Sequence, residues 1–302
     1  MADVKDYEIK ALKKQIFISN LKAWIIGLIL LAELIFIINY FSKMGMFEEV
    51  STAQNKVAIL RYNQEVTEEF TSKVMDKLDE IKESGEYHSL LFIMSSPGGS
   101  PTASEELSEY LKAFQNEMNV TMYVDSIAAS GGYYIASAIR PLYANKNAIV
   151  GSIGVIMPHY NFGELAKKIG VEEDYLAAGK FKKPISMLAK IDQENKEYMV
   201  KHLLKPTYDN FIHAVATNRG LTSKELLPFA EGKIFIANVP EIQGILVDKI
   251  SSLYKIKKMI RQNIGSKDVD FININLSEEP PFFAQVKVDW GLEKLLTHFG
   301  WQ

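Results

Sequence analysis

The sequence predicts an α/β protein, a parallel sheet flanked by helices, preceded by one N-terminal transmembrane helix. Three observations predict it. An apolar run of 19 residues, 23–41, lies near the N-terminus and is long enough to cross a bilayer as a helix. Beyond it, short apolar strands alternate with amphipathic helices over short connections. Two glycine turns, at Pro97-Gly98-Gly99 and Ser130-Gly131-Gly132, fall where apolar strands end, which is where open parallel sheets bind ligands.

Composition narrows the function classes. The 302 residues suffice for a membrane anchor and one large domain or two small ones, and 47% hydrophobic content supplies a core. A net charge of −3 gives no reason to expect nucleic acid. The chain has no cysteine, which excludes disulfides, Cys-ligated zinc and thiol catalysis. The five histidines show no metal-ligand spacing, so neither metal nor cofactor is expected.

Residues 1–22 are polar, with Lys5, Lys10, Lys13, Lys14 and Lys22. The apolar run follows, with Trp24, Tyr40 and Phe41 placed as interfacial anchors. Lysines crowd its N-terminal flank and only Lys43 follows closely. The positive-inside rule then puts the N-terminus in the cytoplasm and the rest outside it, at the inner (cytoplasmic) membrane. No Ala-x-Ala pattern follows, so the run reads as an uncleaved anchor. Glu33 is out of place there; protonation, snorkelling or a partner helix are the open readings. A buried soluble helix is the alternative for the whole run.

A short polar linker, 42–56, leads to a strand at 57–62. Residues 64–84 are an amphipathic helix with Val66, Phe70, Val74, Leu78 and Ile81 on one face. A buried strand at 90–94 runs into Ser95-Ser-Pro-Gly-Gly-Ser-Pro101, followed by a helix that turns Leu107, Leu111 and Phe114 inward. The strand 120–124 enters Asp125-Ser-Ile-Ala-Ala-Ser130, and a helix carrying Tyr133, Tyr134, Ala136 and Ile139 leaves it. Residues 148–157 read as a strand interrupted by Gly151-Ser152 and Gly154, where another backbone or a ligand approaches. A short helix at 161–169, an extended stretch at 171–175 and a basic loop, Gly179-Lys-Phe-Lys-Lys-Pro184, come next. A long helix over 192–218 is bent near Pro206, and Thr222-Ser-Lys-Glu225 carries a capping signature. Short apolar stretches at 235–247, a helix at 251–262 and a strand at 269–274 follow. The tail has a Pro280-Pro281 break and an amphipathic segment around Trp290.

Ser130 is the residue whose setting suggests chemistry. It lies at a strand-to-helix turn and precedes two glycines, so its hydroxyl is presented where the helix's free N–H groups point. The competing reading is a turn whose small residues only permit close packing. Pro97-Gly98-Gly99 offers backbone donors to an oxyanion or a phosphate; no Gly-Lys-Ser/Thr follows, which argues against a P-loop. The lysines of 180–183 read alone as a solvated loop.

Together the motifs Ser-Pro-Gly-Gly, Ala-Ala-Ser130-Gly-Gly-Tyr-Tyr-Ile-Ala, Gly151-Ser-Ile-Gly-Val and Gly179-Lys-Phe-Lys182 resemble the signal peptide peptidase A family over about residues 56–262. Phe229-Ala-Glu-Gly-Lys-Ile-Phe-Ile-Ala237 and Gly244-Ile-Leu-Val-Asp248 match the family's later portion, and the anchor matches too. The resemblance implies a Clp-protease/crotonase-like fold and a Ser/Lys dyad. Ser130 matches the nucleophile, Lys182 the general base and Ser152 a helper that hydrogen-bonds the lysine. Backbone N–H groups of Gly98 or Gly99, with Gly131, match the oxyanion hole. A lysine serves as base only where desolvation lowers its pKa, and apolar Phe181 is a candidate source of burial. Lys180 and Lys183 compete with Lys182, which is chosen because the family motif places the base there. The family tends to have Asn where Ser95 stands and Ala-Asp where Ile139-Arg140 stands. Clp-type peptidases use a Ser-His-Asp triad, which makes His159 the alternative base.

The expected protein is a membrane-bound serine endopeptidase acting on apolar peptides such as remnant signal peptides, or on membrane proteins. The anticipated segments are 1–22 cytoplasmic, 23–41 transmembrane, 42–56 linker, 57–262 peptidase domain and 263–302 extension. One motif set per chain suggests, by the resemblance, a homo-oligomeric ring in which one protomer's lysine serves a neighbour's serine. The rival readings are quality control of intact membrane proteins, a non-catalytic peptide-binding scaffold, and a crotonase-like acyl-CoA enzyme.

Overall fold

The structure, a computed structural model, describes residues 2–43, 53, 55–266 and 268–276. Most of the linker, the Pro280-Pro281 break and the segment around Trp290 lie outside the described residues. Two units are distinct, Met1–Thr52 and Ala53–Gln302.

The described part of the first unit is a single helix, α1 (Ala2–Lys43), which takes in the polar residues expected to precede the span. Within it Ile16–Tyr40 is long and apolar enough to cross a membrane, with a mean hydropathy of 2.4. The apolar stretch therefore begins earlier than residue 23. Helical backbone satisfies its own N–H and C=O groups, the condition for crossing hydrocarbon.

The second unit is built on an eight-stranded sheet. Its elements run β1 (Asn55–Tyr62), α2 (Glu68–Ser84), β2 (Tyr87–Ser96), α3 (Pro101–Phe114), β3 (Asn119–Ala129), α4 (Gly131–Ala136), β4 (Leu142–Ala144) and β5 (Ile149–Gly151). They continue α5 (Gly163–Lys168), α6 (Gln193–Met199), α7 (Lys205–Arg219), α8 (Ser223–Leu226), β6 (Ile234–Ile236), β7 (Lys249–Ile250), α9 (Leu253–Ile264) and β8 (Val269–Asn273). The main path is β6-β5-β3-β2-β1-β8, with β4 and β7 branching from β3. Every pairing is parallel except β5 with β6.

Alternation along the strands sets the layers. Ala58, Leu60, Phe92, Met94, Met122 and Val124 point to one face, where α2, α3, α4 and α7 cover them. Val57, Ile59, Leu91, Ile93 and Tyr123 point to the other, under Ile256 and Ile260 of α9. Parallel strands covered on both faces read as continuous apolar runs, which is why 57–60 and 90–94 do.

Local chemistry sets the boundaries. Thr67 caps α2 by accepting from Phe70 N–H, and Gly85 closes it at φ 62°. Val66, read from periodicity as helical, instead bridges Gly99 just before that cap. The expected Thr222 capping box forms in both directions. The bend anticipated near Pro206 is a π-helical turn, Val200–Leu204, inserted between α6 and α7. Pro206 follows directly, inside a helix that runs without a break from Gln193 to Arg219, so its missing N–H falls beside the widened turn.

Two expectations change. The strand expected over 148–157 stops at Gly151, because Gly151 (φ 102°) and Ser152 (φ 52°) leave the extended region. The sheet also extends past residue 262, where the peptidase domain was expected to end. β8 pairs with β1 from Asn55↔Val269 to Ile59↔Asn273, covering what would otherwise be an open edge.

A buried ion-pair network ties the end of α7 to β4. Arg219, 1% exposed, donates through Nε to Ile245 O (2.8 Å) and through a terminal nitrogen to Asp248 Oδ2 (2.9 Å). Asp248 also accepts from Leu142 N–H (2.7 Å) and from Arg140 (2.9 Å). Burial pushes the Asp248 carboxyl up. The hydrogen bonds from Arg219, Leu142 and Arg140 outweigh that and hold it below the usual carboxylate range. A carboxyl so depressed stabilises the fold fully above its unfolded pKa of about 4 and loses that contribution as pH falls further. Asp248→Asn strands the Arg219 charge in the core and is expected to lower stability by about 3 kcal/mol at neutral pH. Urea unfolding of the full chain in detergent should show the gap from wild type shrinking below about pH 4. A gap that widens on acidification would contradict this account.

Candidate active site

Ser130 stands between β3 and α4 at φ 51°, ψ −125°. That region is costly for a residue with a Cβ, and the surroundings hold it there. Ser130 N–H donates to Gly151 O (2.9 Å), and Ser130 O accepts from Tyr133 N–H and Tyr134 N–H (both 2.9 Å). This is a sharp, strained strand-to-helix turn of the nucleophile-elbow kind, with the hydroxyl at its apex. Ser130 is half-buried, and among the described residues its hydroxyl has no hydrogen-bond partner.

The two glycine turns lie against each other. A methyl group on Gly98 (φ 110°) would sit 2.6 Å from Ser130 Cβ, and one on Gly131 would sit 2.3 Å from Ser104 Oγ and 3.3 Å from Gly99 N. Only glycine permits that approach. The loop amides then divide. Pro97 has none, Gly98 N–H donates to Ser96 Oγ (3.2 Å), and Ser100 N–H donates to Val66 O (2.8 Å). Gly99 N–H and Gly131 N–H have no acceptor among the described residues. Of the glycine donors anticipated from sequence, Gly99 and Gly131 are free and Gly98 is engaged.

Ser130 opens into a cleft of about 1110 Å³ that Gly98, Gly99, Gly131 and Ser152 also line. Ser152 follows the Gly151 carbonyl that anchors Ser130, and its own N–H is held by Lys233 O (2.6 Å). The walls include Tyr134 stacked on Phe211 (5.1 Å between centroids), with Val200 and Leu204 from the π-helical turn. Sequence periodicity reads Phe211 and Leu204 only as core positions, since an apolar wall and an apolar core share one pattern. Glu65, Glu105 and Glu231 also line the cleft. Burial, reinforced by Glu105 and Glu109, pushes the Tyr134 phenol up to about 12, so it stays protonated and is no base at neutral pH.

Lys182 is not brought to Ser130 within one chain. It is exposed, does not line the cleft, and its amine has no hydrogen bond or ion pair among the described residues. Its neighbours are engaged: Lys180 pairs with Glu194 and Lys183 with Glu173. Phe181, the expected source of burial for the lysine, stacks on Tyr198 (4.4 Å), and Lys182 stays exposed. His159 lines an adjoining cavity beyond Val200 and Leu204, where its Nε2 meets Ser186 O at 2.9 Å. Neither candidate base therefore shares the cleft with Ser130.

Comparison with known proteins decides the family. The model of peptidase family S49 matches residues 112–267, just over half of the chain, including the Ser130 turn, Gly151-Ser152 and the lysine loop. The chain belongs to peptidase family S49. The family comprises serine-type peptidases of Clp-protease-like fold, in agreement with the mostly parallel sheet and flanking helices. A protein of Methanocaldococcus jannaschii, provisionally named a protease, is 31% identical over 207 residues, 68% of this chain and 66% of its own length. One of Synechocystis, also provisionally a protease, is 30% identical over 210 residues, 70% of this chain and 75% of its own length. One of Enterococcus faecium, provisionally named signal peptide peptidase SppA, is 28% identical over 193 residues, 61% of this chain and 56% of its own length. The match thus spans about half to three quarters of these S49-like relatives.

Proposed function

We propose that this S49 chain is a membrane-anchored serine endopeptidase using Ser130 as nucleophile and Lys182 of a neighbouring copy as general base. The observation that carries the reading is the Ser130 elbow beside two amides, Gly99 and Gly131, that have no acceptor among the described residues. In this mechanism the neutral lysine amine takes the Ser130 hydroxyl proton while Oγ adds to the scissile carbonyl. The carbonyl oxygen becomes an oxyanion received by the Gly99 and Gly131 amides. The lysine ammonium then protonates the departing amine, the C–N bond breaks, and an acyl-Ser130 remains. Water, deprotonated by the same lysine, releases the acid and restores Ser130. Ser152, on the cleft wall, hydrogen-bonds the incoming amine and fixes its direction.

Two features support completion of the site between copies. Lys182 is exposed and has no ion pair among the described residues, while Lys180 and Lys183 beside it are both engaged. The segment that carries it exposes Ile156 (85%), Tyr160 (67%), Ile169 (67%) and Leu176 (wholly), large apolar side chains of the kind that interaction sites bury. A homo-oligomeric ring covers that surface and carries each lysine to the next serine. The apolar walls of the cleft favour apolar peptides, remnant signal peptides among them. A fluorophosphonate probe is expected to label the full-length protein and not Ser130→Ala. Equal labelling of the two would sink the assignment.

The anchor is proposed to hold the catalytic unit outside the cytoplasm, from the lysine excess before the apolar run. A reporter active only in the cytoplasm, fused after Gln302, should stay silent. A strong signal would reverse the orientation.

A further inference from the structure

We infer that Ser96 is a positioning residue for the oxyanion hole, a role that rests on the reading of Ser130 above. Ser96 ends β2 and pairs with Ala128, two residues before Ser130, just past a shift in the β2–β3 register. It is fully buried (0% exposed), where a hydroxyl without a partner is unfavourable. Its Oγ accepts the Gly98 N–H at 3.2 Å.

That bond determines which amide of the glycine loop is left over. Gly98 O accepts from Val66 N–H and Ser100 N–H donates to Val66 O, both at 2.8 Å, so the loop is pinned to Val66 on its outer side. The pairing to Val66 uses Gly98 O and Ser100 N–H and turns the Gly99 amide to the opposite side. With Gly98 N–H tied back to Ser96, the Gly99 N–H is the one loop donor facing Gly131. Ser96 thus holds the Pro97–Gly98 peptide and Val66 the Gly98–Gly99 peptide; with φ values of 110° and 151° at the two glycines, loss of the Ser96 bond lets the first peptide turn and the Gly99 amide shift with it.

Ser96 also touches the second donor's helix. A methyl group on Gly132 would lie 2.7 Å from Ser96 O and 3.0 Å from Ser96 Cβ. One buried side chain thus contacts the glycine loop by a hydrogen bond and the start of α4 by packing. It sets the spacing between the Gly99 and Gly131 amides, and that spacing must match an oxyanion to within a few tenths of an ångström.

Three full-length variants test the role: Ser130→Ala, Ser96→Ala and Ser96→Cys, which keeps the shape but accepts a hydrogen bond poorly. The readouts are kcat and KM on an apolar peptide, and inhibition by the matching peptide aldehyde. Ser130 Oγ adds to the aldehyde carbon, and its proton is taken up by the base, so the adduct places an oxyanion in the hole. Ser96→Ala is expected to lower kcat about 10- to 100-fold with KM little changed, less than deletion of a donor outright. Aldehyde affinity should fall by a similar factor, and Ser96→Cys should lie between it and wild type. A merely structural residue would lower the fraction of active enzyme without changing aldehyde affinity per active site, and that result would overturn the inference. If Ser96→Ala does not fold, Ser96→Cys decides: wild-type kcat and aldehyde affinity would overturn the inference. A dead Ser130→Ala beside a fully active Ser96→Ala removes the Ser96 role alone, whereas an active Ser130→Ala removes both readings.

Discussion

Replacing Ser130 with alanine is expected to reduce peptide cleavage by about 10⁴- to 10⁶-fold. The substitution deletes the one hydroxyl that the strained turn presents to the cleft. The fold should tolerate it, because the turn is held by backbone bonds to Gly151 and from Tyr133 and Tyr134, none of which involves the side chain. Alanine at φ 51° carries the same Cβ as serine, so the backbone cost is almost unchanged. The measurement is turnover of an apolar peptide by the full chain in detergent, with thermal unfolding as control. Wild-type turnover from a folded variant would make Ser130 structural and remove the proposed mechanism.

Lys182→Ala is expected to be as inactive as Ser130→Ala, since nucleophile and base act as a unit and their losses do not add. Lys182→Arg should be inactive too, because a guanidinium does not give up its proton and cannot accept one. Lys180→Ala and Lys183→Ala should keep most activity, as those amines are already paired with Glu194 and Glu173. The sharing of sites has a separate test. In rings assembled from equal parts of Ser130→Ala and Lys182→Ala subunits, about one quarter of sites would hold both an intact serine and an intact lysine. Activity near that fraction is the expected result. Verified mixed rings without activity would refute the shared site, and an active Lys182→Arg variant would refute the dyad and return attention to His159.

Legibility from sequence followed the range of the interactions involved. The strands at 57–62 and 90–94, the α2 helix and the Thr222 cap were readable because periodicity and capping act over a few residues. The glycines flanking Ser130 were readable as a close approach, since only glycine fits there. What they approach was not, because Gly98 and Ser130 meet across 32 positions of chain. The early stop of β5 at Gly151 and the joining of β8 to β1 were likewise outside any local window.

The sequence by itself determined the apolar span, the α/β class and the position of the Ser130 turn, for each is written in a run or spacing of neighbouring residues. The tertiary structure alone decided which loop amides remain free. That outcome depends on Ser96, Val66 and Gly151 arriving from three different strands and connections to occupy the others. It also decided that Lys182 stands apart from Ser130 in a single chain. The Lys182 loop lies beyond the end of β5, and no strand pairing carries it back over the cleft.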